Sequence, residues 1–186
     1  MNIIFESIRL RNNYLWSKER LERSAVTDTL TRLYNRVGLE NYKKDFIDES
    51  LITKKPLLVL VADMNGLKII NDTFGHMDGD FAISYASRAF RTHKTGTEKC
   101  FRFGGDEFIM LGVGDYTEES VRSRMESIKK FLYDYNEKGE KPFLVELSLG
   151  YHLEVYDGSK TIDQYISEAD IMMYQDKKNS KGDIIR

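Results

Sequence analysis

Runs of apolar residues divide the chain into strands and helices. The run from Leu57 to Ala62 is continuous, which is typical of a strand that is buried on both faces. Residues 143–155 instead alternate, with Val145, Leu147 and Leu149 on one side, as the two-residue period of a strand requires. We therefore predict two strands, and we expect the first to lie in the centre of a sheet.

The segment 100–112 predicts a β-hairpin. Two short apolar runs flank the pair Gly104-Gly105, a pattern that favours a tight turn with positive φ at both glycines. Two carboxylates, Asp106 and Glu107, follow directly. Solvated acids after a glycine turn are common, but glycines also let a ligand approach the backbone, and adjacent acids can hold a divalent cation.

The remaining periodic segments predict helices. Their apolar residues recur every three or four positions, as one face of a helix requires. Asn35 supplies an N-cap side chain for the second of them. The predicted helices are 1–26, 36–51, 80–93, 117–135 and 162–178. The segment between Met64 and Gly79 is dense in Gly, Asn and Asp and is predicted as a loop.

This order of elements predicts a single α/β (α+β) domain with a mixed sheet, in which helices cover adjacent central strands. We assign residues 27–186 to the domain and residues 1–26 to an N-terminal lead-in helix. That helix either packs on the core of its own domain or serves as a dimerising stalk. Its pattern is too short and too broken to decide between the two.

Composition narrows the class of ligand. The chain has 186 residues, 41% hydrophobic and 31% charged, with a formal net charge of -2, as expected of a globular protein without a basic field for nucleic acid or an anionic membrane. The single cysteine, Cys100, excludes an internal disulfide framework and fits a reducing cytosol. We find no transmembrane or signal segment. We therefore expect a cytoplasmic protein with a small ligand, or the cytoplasmic part of a larger receptor.

Three carboxylates predict a cation site. Asp63 follows the continuous strand, and strand ends are where α/β sheets place their ligands. If that strand lies beside the hairpin, Asp63 meets Asp106 and Glu107, and clustered acids repel unless a cation offsets them. Oxygen ligands without nearby His or Cys favour Mg²⁺ or Mn²⁺.

Neighbouring residues suit a nucleoside triphosphate. The loop 65–68 includes Gly66 and Leu67, whose backbone can aim N–H groups at phosphates, and Lys68 adds charge. Lys177 and Lys181 are four residues apart and share a helix face, although such pairs are usually solvated.

Asn71 and Asp80 are the candidates for base recognition. A carboxylate accepts two parallel hydrogen bonds from the N1–H and N2–H₂ edge of guanine, whereas adenine presents an acceptor at N1. A turn role for Asn71 and a helix cap for Asp80 are the ordinary alternatives. We assign no role to His76.

Four segments together resemble the GGDEF domain family of diguanylate cyclases, in the family's order and spacing. They are DTLTRLYNR (28–36), DMNGLKIINDTFGHMDGD (63–80), FRFGGDEF (101–108) and ADIMMYQDKKNSK (169–181). The resemblance implies a five-stranded mixed sheet wrapped by helices, related to nucleotide cyclases and the polymerase palm. It also implies a homodimer with one GTP in each domain, in which each 3′-hydroxyl attacks the other α-phosphate. Cyclic di-GMP and two pyrophosphates are the products.

The resemblance also assigns roles to residues of this chain. Two Mg²⁺ or Mn²⁺ ions are implied for each site. Their expected ligands are Asp63, the backbone carbonyl of Met64, Asp106 and Glu107. Asp106, Glu107 and Lys68 are the expected catalytic residues. The expected substrate contacts are Gly66, Leu67, Asn71, Asp80, Gly104, Gly105, Lys177 and Lys181.

Three departures from the family pattern bear on function. Asn65 replaces an acid that is not itself a ligand, and Lys181 replaces a frequent arginine, which loses a bidentate fork. The product-inhibition motif Arg-x-x-Asp is Thr95-Gly96-Thr97-Glu98 here, so we expect weak feedback by cyclic di-GMP. A catalytically silent module that binds GTP or cyclic di-GMP is the alternative to an enzyme. An upstream sensor domain is a further expectation.

Overall fold

The computed structural model describes residues 2–179 and 184–185, which form six helices and four strands. The helices are α1 (Asn2–Val26), α2 (Arg36–Thr53), α3 (Leu67–Phe74), α4 (His76–Thr92), α5 (Glu118–Asn136) and α6 (Ile162–Asn179). The strands are β1 (Pro56–Met64), β2 (Lys99–Arg102), β3 (Glu107–Val113) and β4 (Leu147–Val155). No helix in these ranges is long and apolar enough to cross a membrane.

The strands form one sheet in the order β2-β3-β1-β4, and every neighbouring pair is antiparallel. The α+β class is confirmed, but the expectation of a mixed sheet of five strands is wrong for the described residues. The parallel component is a single bridge between Tyr34 and Phe101. It cannot extend into a strand, because Asn35 turns the chain into α2 by accepting a hydrogen bond from the backbone N–H of Gly38.

The central strand β1 divides two hydrophobic layers. Leu58 and Leu60 lie in the cluster that includes residues of α4 and α5, and Leu57 and Val59 lie in the cluster that includes residues of α2 and α6. Strand side chains alternate between faces, so the continuous apolar run is explained by cover on both sides. Asp63 follows Val61 on the face of α2 and α6.

Two segments differ from the sequence-based expectation. The segment predicted as a loop contains α3 and the first turn of α4. Gly66 precedes α3 with φ of 67° and offers no side-chain cap, and Gly75 separates the two helices with φ of 90°. Because glycine is typical of loops, the glycines at both ends favoured a loop prediction over a helix of only 8 residues. The other segment is 143–146, which is predicted as the first part of a strand but lies before β4 in the structure. Its residue Phe143 instead pairs with Ile185 in an isolated β-bridge.

Helix α6 lies directly on β4. A Cβ atom added to Gly150 would overlap the backbone of Ala169 and Met173, with 2.9 Å to the Cα of Met173. Real Cβ atoms do not approach this closely, so only glycine allows the helix backbone to rest on the strand. The contact fixes the position of α6, which carries Asp170 and Lys177.

Helix α1 contacts α2. Several of its large apolar side chains are exposed, among them Leu10, Tyr14 and Trp16, the last at 72%. The division of the chain at residue 26 remains a prediction.

Candidate active site

The ends of β1 and β3 bring the predicted carboxylates together. Asp63 lies directly opposite Glu107 in the antiparallel register, which places the two side chains on one face of the sheet. The backbone N–H of Met64 donates to the carbonyl oxygen of Asp106 at 3.0 Å. The expectation that these strands are neighbours is confirmed.

The glycine turn has a different geometry from the expected one. Residues 103–106 separate the two strands, and neither Gly104 nor Gly105 has a positive φ, so the tight turn with positive φ at both glycines is wrong. Its place is taken by a four-residue loop, closed by hydrogen bonds from the N–H groups of Phe103 and Gly104 to the carbonyl oxygen of Glu107, at 2.9 and 3.4 Å.

The two glycines differ in what surrounds them. A Cβ atom on Gly104 would collide with the carboxylate of Glu107, whereas one on Gly105 would meet no atom within 4 Å. Nothing in the folded chain thus explains a glycine at position 105. Open space at this position leaves room for a ligand beside the carboxylates.

The electrostatics of the site disfavour unpaired negative charge. Burial raises the pKa of Asp63, and the charge of Asp106 raises it further. Burial likewise raises the pKa of Glu107, together with the charges of Asp106, Asp63 and Asp170. Partial burial and the charge of Asp63 raise the pKa of Asp170. Four acids therefore share a space in which a cation would lower the free energy of the charged form.

Lys177 supplies one positive charge to this cluster. Its Nζ donates to Oδ1 of Asp63, whose side chain is 15% exposed, and this contact lowers the pKa of the carboxyl against the effect of burial. Within residues 2–179 no three His, Cys, Asp or Glu side chains already stand as a coordination shell. A cation at Asp63 would have to displace the ammonium group of Lys177, whose carbon chain is long enough to move aside.

The start of α3 has backbone N–H groups that precede the first hydrogen bond of the helix. Gly66 adopts the left-handed conformation, and the side chain of Ile184 fills the space that a Cβ atom would need there. The first hydrogen bond of the helix joins the N–H of Ile70 to Gly66, so the preceding N–H groups have no helical partner. Lys68 is exposed at this end. Lys181 lies outside the described residues, and its predicted role is not tested.

Helix packing places Asn71 against the residue that precedes Asp80. The side chain of Asn71 on α3 lies against Gly79 of α4, where a Cβ atom would overlap its Oδ1. Asp80 is the next residue and is exposed. Asp80 thus follows the point at which the Asn71 amide contacts α4, while His76 is exposed at the start of that helix.

Two departures noted in the sequence have structural partners. Asn65 is buried, and its Oδ1 accepts a hydrogen bond from the hydroxyl of Ser148 at 2.8 Å. Glu98 is also buried and binds Thr95 and Arg124. Its carboxylate therefore closes the loop 95–98 internally.

Sequence reasoning missed Asp170 and the pair Asp28 and Arg102. The signal for Asp170 was its spacing, since it precedes Lys177 by seven residues and so shares its helix face. No local pattern linked Asp28 to Arg102, because 74 residues separate them.

A separate groove of about 1090 Å³ lies between the end of α1 and the segment 91–100. It shares no lining residue with the carboxylate site. Its cationic lining residues are Arg23, Arg32, Arg91, Lys94 and Lys99.

The fold and the site together define an α+β domain with an acidic site at the strand ends. The family described as "Diguanylate cyclase, GGDEF domain" matches residues 25–183. The chain therefore belongs to the GGDEF domain family, as the sequence indicated.

Individual relatives agree with this assignment. Diguanylate cyclase DosC of Escherichia coli K12 is 32% identical over 161 residues, which are 83% of this chain and 34% of DosC. The probable diguanylate cyclase DgcJ of the same organism is 27% identical over 184 residues, 98% of this chain and 34% of DgcJ. The chain thus spans about a third of the length of these curated relatives.

A solved structure shows the same fold. The coiled coil and GGDEF domain of DgcB from Caulobacter crescentus, in complex with c-di-GMP, superposes with a TM-score of 0.84 at 21% identity. The alignment covers 98% of this chain and 96% of the DgcB chain.

Proposed function

We propose that this chain is the catalytic domain of a diguanylate cyclase, which condenses two GTP into cyclic di-GMP and two pyrophosphates. The observation that carries the proposal is the register of Asp63 opposite Glu107 with Asp106 beside them, next to the open position of Gly105. Curated relatives bear the name diguanylate cyclase, and family membership makes this reaction the first expectation.

The residues present fit divalent cations. Carboxylates of Asp63, Asp106 and Glu107, with the backbone carbonyl of Met64, offer the hard oxygen donors that Mg²⁺ or Mn²⁺ prefers. Two ions bound there would stabilise negative charge on the α-phosphate and favour ionisation of the attacking 3′-hydroxyl. The pKa values of Asp63 and Glu107 are raised, as is typical of clustered acids at a functional site that binds a cation.

The other residues bind and orient the nucleotide. Positive charge for the phosphate oxygens comes from Lys68 and Lys177. The backbone N–H groups after Gly66 donate hydrogen bonds to the same oxygens. Asn71 on α3 contacts Gly79, which directly precedes Asp80 on α4, and this supports a guanine-reading role for the two residues, since a carboxylate accepts both N–H groups. Adenine would leave these groups unpaired.

Each domain supplies one half of the reaction, so turnover requires two copies of the chain. We infer a homodimer in which two sites face each other and each holds one GTP. The exposed apolar side chains of α1 fit a role in setting the mutual orientation of two domains. An upstream sensor domain is part of the proposal, because the curated relatives are about three times as long.

The reaction is tested by incubating the protein with GTP and Mg²⁺ and quantifying cyclic di-GMP by chromatography. We expect product formation whose rate rises with the square of protein concentration below the dimer dissociation constant. ATP should give no cyclic product. GTP binding without product, even after fusion to a dimerising coiled coil, would instead identify a silent regulatory module.

We further predict that micromolar cyclic di-GMP does not reduce turnover. Position 95 is a threonine, and the carboxylate of Glu98 is already bound by Arg124, so the loop offers neither the arginine nor a free acid. The measurement is the initial rate with added product and a fixed GTP concentration. Potent non-competitive inhibition would contradict the prediction. If that inhibition were lost in Lys99→Met, the inhibitory site would be the groove between the end of α1 and the segment 91–100, which Lys99 lines.

A further inference from the structure

Arg102 holds the carbonyl group of the glycine turn. Its Nε and Nη2 donate to the carbonyl oxygen of Gly105 at 3.2 and 2.7 Å. Its Nη1 donates to both carboxylate oxygens of Asp28, at 3.2 Å each. One planar guanidinium group thus joins the turn to a residue that follows α1, and a lysine ammonium does not offer the same fork of donors.

Asp28 is itself fixed in place. Its Oδ1 accepts hydrogen bonds from the N–H and the hydroxyl of Thr31, at 2.8 and 2.6 Å, and its own N–H donates to Leu33. Burial raises the pKa of Asp28, but the hydrogen bonds from Thr31 and the charge of Arg102 outweigh it and lower the pKa. We call Asp28, Thr31, Arg102 and the Gly105 carbonyl the turn clamp.

The turn clamp is largely withdrawn from solvent. The side chains of Arg102 and Asp28 are 17% and 20% exposed, so the pair is screened less than a surface ion pair. The backbone N–H of Arg102 also donates to the carbonyl of Tyr34 at 2.7 Å. Arg102 is therefore attached through both its backbone and its side chain to the segment 28–34.

The clamp acts on the peptide groups around Asp106. Because a peptide unit is planar, fixing the Gly105 carbonyl also fixes the direction of the Asp106 N–H. The following carbonyl, that of Asp106, accepts from Met64. Both peptide groups of Asp106 are thus held, although the two preceding glycines would by themselves allow many conformations.

We propose that Arg102 is a positioning residue, which through the turn clamp holds Asp106 and Glu107 in the orientation that the reaction requires. The inference rests on the proposed function for its catalytic consequence. Its structural content is independent of turnover, because the clamp predicts a local order of the turn that is measurable in any folded sample.

The test compares Arg102→Met and Asp28→Asn with the wild type, with Arg122→Met as a matched control. Arg122 is an exposed arginine on α5 that pairs with Glu118. Amide hydrogen exchange, followed by NMR, should accelerate at least ~10-fold at Met64, Phe103 and Gly104 in both clamp variants, because the loss of a hydrogen bond to a charged group shifts a local opening equilibrium by about this factor or more. The interior of β1 and the control variant should exchange as in the wild type.

Kinetics separate positioning from general stability. We expect both clamp variants to lower kcat by on the order of 10–100-fold and to weaken Mn²⁺ affinity, with a smaller change in the KM for GTP. Arg102→Lys keeps the positive charge opposite Asp28 but loses the fork of donors. Relative to Arg102→Met, it should therefore recover more of the wild-type stability than of the wild-type kcat. Full recovery of kcat by lysine would overturn the positioning role.

The outcomes distinguish this inference from the proposed function. Unchanged exchange at Met64, Phe103 and Gly104 in a folded Arg102→Met protein would refute the clamp while leaving the cyclase proposal intact. If Arg102→Met does not fold, Asp28→Asn decides the same question. A wild type that forms no product even after fusion to a dimerising coiled coil would refute the cyclase proposal, and exchange and Mn²⁺ affinity would still report on the clamp.

Discussion

Glu107→Gln is expected to reduce cyclic di-GMP formation by on the order of 100- to 1,000-fold, because removing a charge-stabilising group that acts in the transition state has effects of this order. Glutamine has nearly the same volume but no charge, so it weakens cation binding without opening a cavity. The carboxylate lies opposite Asp63 and collides with any Cβ atom at position 104. Initial rates with saturating GTP and Mg²⁺ provide the measurement.

The same substitution is expected to leave the metal-free fold at least as stable as the wild type. Burial and the neighbouring acids raise the pKa of Glu107, so its charged form is disfavoured in the fold. A raised carboxyl pKa lowers stability above the folded pKa, and the loss is relieved as the pH falls through it. At neutral pH, therefore, the neutral amide removes a repulsion.

Thermal unfolding with and without Mn²⁺ separates the two effects. The wild type should gain stability on adding Mn²⁺ at neutral pH, and the gain should shrink as the pH falls and protons compete for the acids. Glu107→Gln should lose most of the gain. Glu119→Gln, on an exposed turn of α5, is the matched control. A variant that is unfolded or fully active would contradict the assignment of Glu107.

Gly105→Ala is expected to lower turnover by on the order of 100-fold, as a misplacement of about 1 Å at a reacting centre can do, while the fold is unaffected. A Cβ atom at this position meets no protein atom within 4 Å, and φ is not positive. We therefore expect a change in stability of at most about 1 kcal/mol, with alanine favoured by its smaller unfolded-state entropy. We expect the loss because the added methyl group would occupy the open space in which we propose that the nucleotide lies.

Gly104→Ala provides the contrast. Its Cβ atom would displace the carboxylate of Glu107, so it should impair cation binding as well as GTP binding. Isothermal titrations with Mn²⁺ and with a non-hydrolysable GTP analogue distinguish the two variants. Wild-type GTP affinity and turnover in Gly105→Ala would show that the open position is not the nucleotide site.

The sequence predicted those features of the fold that depend on strong periodicity. The continuous run of β1 indicated a central strand, and the α6 pattern gave its bounds within a residue or two. The convergence of Asp63 with Asp106 and Glu107 followed from assuming that β1 lies beside the hairpin, which the register confirms. Strand ends are informative because hydrogen bonding fixes the register.

Features governed by glycine conformation were not predictable in the same way. Helix α3 is bounded by glycines with positive φ, which resemble loop chemistry, and the Gly104-Gly105 pair adopts no positive φ at all. Glycine adopts positive and negative φ about equally readily, so a glycine in the sequence does not tell which backbone conformation is present there. The turn clamp was also invisible, since Asp28 and Arg102 meet only through tertiary structure.

The contact of Gly150 with α6 has a consequence for how the site tolerates change. Backbone atoms of helix and strand touch there without an intervening side chain, so at this point the spacing between α6 and β4 is set by the backbone itself. We therefore expect that any side chain introduced at position 150 would push α6 off the strand and shift Asp170 and Lys177 relative to the strand end.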